Sequence, residues 1–253
     1  MLNNAASPVV LLTDADGTLF DSFPLYNRAI DDALISRGLA TEPYEVYYKP
    51  FNDKYDIIPG TSWGPIFSLL LEYLGQDTGR MEEVLAAFYE AAVRRVRVAG
   101  PGLLLTHARP VLEAVAASGG RTFIHSGTSR PILDALVKAT GVSELVDWSV
   151  CGNEIPPGDG YARHKEKMVA MGLGHFAEFS PVVLGDTKAD VWAANALDIP
   201  VALIYHGYPK DPSQLNFGFF YPYADQVEGG EDMNELIAWL LAPERPVPTE
   251  VRQ

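Results

Sequence analysis

Val9-Val10-Leu11-Leu12-Thr13 runs without a polar break into Asp14-Ala15-Asp16-Gly17-Thr18. A short apolar run ending at a glycine turn reads as a strand buried on both faces, which places it in a sheet covered by helices. Residues two apart on a strand point the same way, so Asp14 and Asp16 face one ligand if the strand geometry persists. Two carboxylates crowded together repel unless a cation or a shared proton stands between them. The plain alternative is an acidic turn after an edge strand. The polar clusters farther along the chain favour the chemical reading.

From about residue 108 to 203, apolar runs alternate with helical patterns, the signature of a parallel sheet wrapped by helices. Strands are expected over 9–14, 121–126, 146–150, 182–186 and 201–205. Helices are expected between them over 110–117, 131–140, 165–171 and 189–197. The result is an α/β class with a Rossmann-like, doubly wound parallel sheet. Residues 23–98 read differently, with helical patterns over 25–36, 63–74 and 81–98 and a turn-rich loop over 50–62. In the last helix Val84, Leu85, Phe88, Ala92 and Val96 recur at helical spacing, while Arg94, Arg95 and Arg97 form a solvated face. Ala99-Gly100-Pro101-Gly102 has the composition of a hinge. The expected division is a core over 1–22 and 99–242, an inserted helical cap over 23–98, and a loose proline-rich tail over 243–253.

The chain has 253 residues, enough for a sizeable core with an insertion. A formal net charge of -14 argues against nucleic acid as a partner, because polyanion binding needs clustered Lys and Arg. No apolar run approaches the roughly 20 residues of a membrane span. Residues 1–8 lack the basic start and apolar stretch of a secretory signal, and Cys151 is the single cysteine. A reducing, cytoplasmic setting is therefore expected. The sequence carries no signal for oligomeric state.

Open parallel sheets bind ligands beyond the carboxyl ends of their strands. Here each expected strand end is polar: Asp14 and Asp16 after the first, Ser126-Gly127-Thr128-Ser129 after the second, Gly185-Asp186-Thr187-Lys188-Ala189-Asp190 after the fourth. Arg163, His164 and Lys165 precede or open a further helix.

Asp14-Ala15-Asp16-Gly17-Thr18-Leu19-Phe20-Asp21-Ser22, Ser126, Lys165 and the acidic run from Gly185 to Asp190 together resemble the haloacid dehalogenase superfamily of hydrolases. The resemblance covers nearly all of the chain, and the helical insertion looks like that family's C1-type cap. It implies that Asp14 is the nucleophile of an aspartyl-phosphate mechanism, with Asp16 as general acid and base. It implies Mg²⁺ held by Asp14, Asp186 and the backbone carbonyl of Asp16, with Asp190 in support. Ser126 and the Gly127 amide would hold phosphate oxygens, and Lys165 would screen the charges. The family often has Lys-Pro where this chain has Lys165-Glu166-Lys167, which leaves Lys167 as a competing choice.

Other polar residues have plainer readings. Ser129, ahead of Arg130-Pro131, reads as a helix cap. His125 is aimed by strand alternation to the side opposite Ser126, and His107 begins a helix. Cys151 lacks an evident His partner and is no candidate nucleophile. Lys54 and Trp63 are the cap residues placed to meet a substrate's leaving group, although Trp63 fits equally as a packing residue.

The reading is a Mg²⁺-dependent phosphatase of small phosphorylated metabolites, resembling the phosphoglycolate phosphatase-like branch. The acid at Asp16 separates it from the dehalogenases proper. The alternatives are a phosphomutase of sugar phosphates and a binding protein with a degenerate site.

Overall fold

The structure, a computed structural model, describes residues 7–55, 63–156, 161–206, 215–222 and 230–245. Six strands form one parallel sheet in the order β3-β2-β1-β4-β5-β6. They are β1 (Val9–Thr13), β2 (Arg121–Ser126), β3 (Trp148–Cys151), β4 (Ser180–Gly185), β5 (Val201–Tyr205) and β6 (Phe219–Pro222). Register is set in the centre, where Leu12 lies opposite Phe123 on one side and Val183 on the other.

Alternation along β1 assigns the two faces. Val10 and Leu12 pack with Phe123, Val183, Met168, Val169 and Val191, the side covered by α7 (Tyr161–His175) and α8 (Lys188–Ala196). Val9 and Leu11 pack with Val111, Leu112, Leu133 and Leu236, the side covered by α5 (Ala108–Ala117), α6 (Arg130–Ala139) and α9 (Gly230–Leu241). The sheet is thus doubly wound. Strand order reverses at β1, so the crevice beyond the ends of β1 and β4 is the topological switch point.

Between β1 and α5 the chain forms α1 (Phe23–Ile35), α2 (Tyr44–Tyr55), α3 (Trp63–Tyr73) and α4 (Met81–Ala99). Their shared core is aromatic. The Phe88 ring is fully buried and lies 4.4 Å from Trp63, 5.0 Å from Phe67 and 6.1 Å from Tyr26. On the outside, the Arg95 guanidinium forks onto Asp32 through two bonds of 2.8 Å.

Several expected elements shift or gain neighbours. The 50–62 loop is helical as far as Tyr55, where α2 ends, and its remainder, 56–62, lies outside the described residues. That helix carries Pro50 in its interior, which masks it in a pattern reading. The strand expected over 146–150 occupies Trp148–Cys151 instead. β6 and α9 lie outside the elements expected from sequence. β6 is a four-residue aromatic run ending in Pro222, which only an edge strand accommodates. Of the expected tail, 246–253 lies outside the described residues, while the Arg245 side chain donates to the Trp239 and Leu240 carbonyls.

Candidate active site

β1 delivers Asp14 to the switch point. Its N–H still donates to the Leu184 carbonyl at 2.9 Å, so Asp14 is held as a continuation of the sheet. The strand itself ends at Thr13, and Asp16 already belongs to the following turn, so the expected strand alternation does not reach it. The turn is closed by N–H groups of Thr18, Leu19 and Phe20 converging on the Ala15 carbonyl at 3.3, 2.8 and 3.0 Å.

Gly17 is required twice over. Its φ is +80°, and a Cβ there would sit 2.4 Å from Asp186 Oδ2. The space a side chain would fill is taken by the carboxylate from β4's end. Thr18 Oγ1 donates to the other oxygen of Asp186 at 2.9 Å. Two histidines hold the same turn from outside. His107 Nε2–H donates to the Thr18 carbonyl at 2.7 Å and His206 Nε2–H to the Gly17 carbonyl at 2.6 Å. Burial pulls the His107 pKa down to about 4, so its ring serves as a neutral donor.

Lys165 is fully buried. Its ammonium lies 2.7 Å from Asp14 Oδ1 and 2.9 Å from Asp190 Oδ1, and donates to the His125 carbonyl at 3.4 Å. Lys167 is exposed, so geometry brings Lys165 and not Lys167 to the acids. One correction applies: Lys165 does not open a helix but lies within α7, which begins at Tyr161. Asp190 is fixed by a capping box at the start of α8. Its Oδ2 accepts from Thr187 N–H at 3.1 Å and from Thr187 Oγ1 at 2.7 Å.

Asp16 has a different set of partners. Its Oδ1 accepts from the Ser22 hydroxyl and, at 2.6 Å, from the Tyr26 hydroxyl. Its Oδ2 accepts from Ser126 Oγ at 3.2 Å, and Ser126 Oγ in turn accepts the Thr128 N–H at 3.1 Å. Gly127 follows Ser126 in this loop and passes so close to Gly152 that a Cβ on Gly152 would meet its carbonyl oxygen at 2.9 Å.

Electrostatics separates the acids. Burial lifts Asp14 to about 7, opposed by the Lys165 charge and reinforced by Asp190. Burial raises Asp16 as well, and its three hydroxyl donors pull the other way. Asp186 is pushed well above the ordinary carboxylate range by burial and then by the charges of Asp14 and Asp190. Asp190 alone is held below it, because Lys165, His125 and Thr187 together outweigh burial.

Asp14 and Asp186 therefore form an oxygen-only, mutually repelling pair. Such a donor set suits a hard divalent cation, which would relieve the repulsion. Asp14, His125 and Asp190 also present ligand atoms within 4.8 Å of one another. The Lys165 ammonium already bonds both of those carboxylates, so that space holds a cation of the protein's own.

Strand alternation sends His125 to the α7 face, which is where Lys165 and Asp190 stand. It borders the site instead of avoiding it, and burial and the Lys165 charge lower its pKa to about 3. The cap role expected for Ser129 is not made: Ser129 occupies the N-cap position of α6, but its hydroxyl makes no capping bond. The Asn153 side chain accepts the Arg130 N–H at 3.3 Å in its stead. Cys151 is buried, and burial pushes its thiol up to about 12, which suits no nucleophile.

Lys54 is exposed and sits over the Tyr55 and Tyr73 rings at 4.6 and 5.7 Å. Among the described residues, none of its contacts joins it to the acids of the site. Trp63 is half-buried against Tyr26, at 5.1 Å, and Phe88.

Ser22, Tyr26, His107 and His206 were not picked out from sequence as partners of this loop. A signal for two of them is present: Ser22 and Tyr26 lie four apart at the start of α1, on one face turned toward Asp16.

A family model described as haloacid dehalogenase-like hydrolase matches residues 11–195. No curated protein matches the sequence. Among solved structures, CbbY from Rhodobacter sphaeroides in complex with phosphate is similar with a TM-score of 0.66 and 16% identity, covering 87% of this chain and 96% of that one. A predicted phosphoglycolate phosphatase from Haemophilus somnus is similar at 0.65 and 15%, covering 83% and 92%. A β-phosphoglucomutase from Clostridium difficile is similar at 0.65 and 15%, covering 90% and 98%. At these identities the likeness is one of fold.

Proposed function

The chain belongs to the haloacid dehalogenase-like hydrolases, and from that premise we propose that it is a Mg²⁺-dependent phosphatase of small phosphorylated metabolites. The observation that carries this reading is the contrast between two acids from one loop. Asp14 is paired with the buried Lys165, whereas Asp16 is met by hydroxyl donors. Acids with such different surroundings suit different tasks, one nucleophile and one proton carrier.

Asp14 attacks the phosphorus through a carboxylate oxygen, and the bond from phosphorus to the leaving oxygen breaks. Lys165 orients the attacking carboxylate and favours its ionised form against the effect of burial. Asp16 gives its proton to the departing alkoxide. It then takes a proton from the water that attacks the phosphorus of the aspartyl-phosphate, and the bond to Asp14 breaks to release inorganic phosphate. The Gly127 amide holds a phosphate oxygen, and the Ser126 hydroxyl turns from Asp16 to hold another when substrate is bound. Asp14, Asp186 and the Asp16 carbonyl would hold Mg²⁺, which when bound supplies neutralising charge between the acids and an anionic phosphate. Asp190 supports the site by holding Lys165.

The two chain connections between sheet and helical segment run side by side. Asp21 N–H donates to the Leu103 carbonyl at 2.8 Å, and Leu105 N–H to the Leu19 carbonyl at 2.9 Å. This supports a division into a core over 1–22 and 99–242 and a cap over 23–98 that moves about these paired connections. Lys54 and Trp63 are cap residues in this division, and Lys54 is the better candidate to meet a leaving group because it is exposed.

The test is phosphate release from a panel of phosphorylated metabolites and from p-nitrophenyl phosphate, with Mg²⁺ and in excess chelator. Release with the metal and none without it is expected, and equal release under both conditions would contradict the metal assignment. A phosphomutase on this fold returns the phosphoryl group to a bound sugar phosphate. With a hexose phosphate the expected product is free phosphate, not an isomeric sugar phosphate.

A further inference from the structure

Of the hydroxyls that meet Asp16, two belong to the loops that frame it. Ser22 closes the first loop and Ser126 ends β2. Tyr26 is different, since it stands on α1 and is only 2% exposed. Its ring lies edge-on to Trp63 at 5.1 Å and 79°, to Phe88 at 6.1 Å and to Phe23 at 6.5 Å. Trp63 and Phe88 in turn belong to α3 and α4.

A tyrosine side chain has few internal rotations, so a ring packed on several aromatic neighbours fixes where its hydroxyl lies. That hydroxyl is 2.6 Å from Asp16 Oδ1. Burial and the neighbouring Asp16 charge keep the phenol protonated, so it acts as a donor. One rigid side chain therefore connects the aromatic core of the helical segment to a carboxylate at the switch point. Among its described bonds Tyr26 makes none to Asp14 or Asp186, and it meets Asp16 at the carboxyl, not at the backbone carbonyl proposed to hold Mg²⁺.

We infer that Tyr26 is a positioning residue that sets the direction of the Asp16 carboxyl, and that Trp63, packed on its ring, makes this direction depend on how α3 and α4 seat against α1. The inference rests on the reading of Asp16 as proton donor to the leaving group. The competing account treats Tyr26 as an ordinary core residue whose hydroxyl simply found an acceptor. The two accounts differ in one measurable respect. A misaimed acid hurts substrates whose leaving group needs a proton and spares those whose leaving group departs as a stable anion.

Tyr26→Phe keeps the ring in the aromatic cluster and deletes only the hydroxyl, and Asp16 Oδ1 retains Ser22 as a donor. The experiment compares kcat/KM of wild type, Tyr26→Phe and Trp63→Phe over dinitrophenyl, nitrophenyl and phenyl phosphates, with the melting temperature of each variant recorded. For Tyr26→Phe the expected loss with phenyl phosphate is about 10- to 100-fold, part of the usual effect of general acid catalysis, against about twofold or less with dinitrophenyl phosphate. Trp63→Phe should show the same tilt, smaller in size. If Tyr26→Phe lowers kcat/KM by one factor on every ester, or on none, the positioning role is overturned while the phosphatase reading stands. A wild-type protein that hydrolyses none of the esters would overturn the phosphatase reading and the Tyr26 role with it.

Discussion

Lys165 shows what the site costs the fold. An ammonium with no exposed surface stands between Asp14 and Asp190, and removing it would leave two buried carboxylates without compensation. Breaking a buried ion pair from one side usually costs about 3–5 kcal/mol. Lys165→Met is expected to lose that much in urea unfolding at neutral pH. The sign of its pH dependence follows from the acids left behind. Without the lysine their folded-state pKa values rise above the unfolded ones, so the folded form binds protons more readily and the deficit shrinks as pH falls. A deficit equal at neutral and mildly acidic pH would contradict this account. The run from Asp14 to Ser22 stands out in sequence because its carboxylates, glycine and hydroxyls are contiguous, and the turn that holds them is closed by near neighbours along the chain. His107 and His206 were not, because they reach the same turn from 89 and 189 residues away. A histidine that donates to a distant backbone carbonyl looks in sequence like any other histidine.

The helix that carries Lys165 lies close on the sheet, and its glycines show where. A Cβ on Gly172 would meet Leu12 Cδ2 at 2.7 Å and Phe123 Cδ1 at 2.8 Å, whereas a Cβ on Gly174 would meet nothing within 4 Å. Gly172→Ala is expected to cost about 1–3 kcal/mol through overpacking between α7 and the sheet. Gly174→Ala, on the exposed side near the same helix end, should be neutral or stabilising by up to about 1 kcal/mol. Chemical denaturation of the two variants measures the difference, and equal effects would show that α7 does not press on β1 and β2 at Gly172. Elements with strong patterns, such as β2 and β5, were readable to the residue. α7 was read too short because its first turn, Tyr161 to His164, has no apolar periodicity. β6 was missed because four residues ending in proline carry too little alternation to stand out, and its place is decided by pairing with β5.

In a chain of net charge -14, Asp14, Asp16, Asp186 and Asp190 gather at one crevice, where the buried Lys165 bonds Asp14 and Asp190. With metal withheld, Asp14 is raised to about 7 and Asp186 is raised as well, so deprotonation strains the folded form. The metal-free protein is therefore expected to lose stability as pH rises from the ordinary carboxylate range toward about 7, because over that interval the folded state gives up its protons less readily than the unfolded one. Mg²⁺ should restore the loss, so the rise in melting temperature on adding it grows with pH across the same interval and vanishes in Asp186→Ala. A rise independent of pH, or one retained in that variant, would place the cation elsewhere.

The central claim is that Asp14 carries the phosphoryl group, and a trapped intermediate tests it most directly. In Asp16→Asn the base that activates the hydrolytic water is lost, and turnover should fall about 10²- to 10⁴-fold. With dinitrophenyl phosphate the first step still proceeds and the phosphoenzyme accumulates. Rapid acid quench followed by peptide mass mapping should place one phosphate on Asp14, and Asp14→Asn should take up none and show no turnover. Phosphate mapped to any other residue, or substantial turnover in Asp14→Asn, would contradict the mechanism.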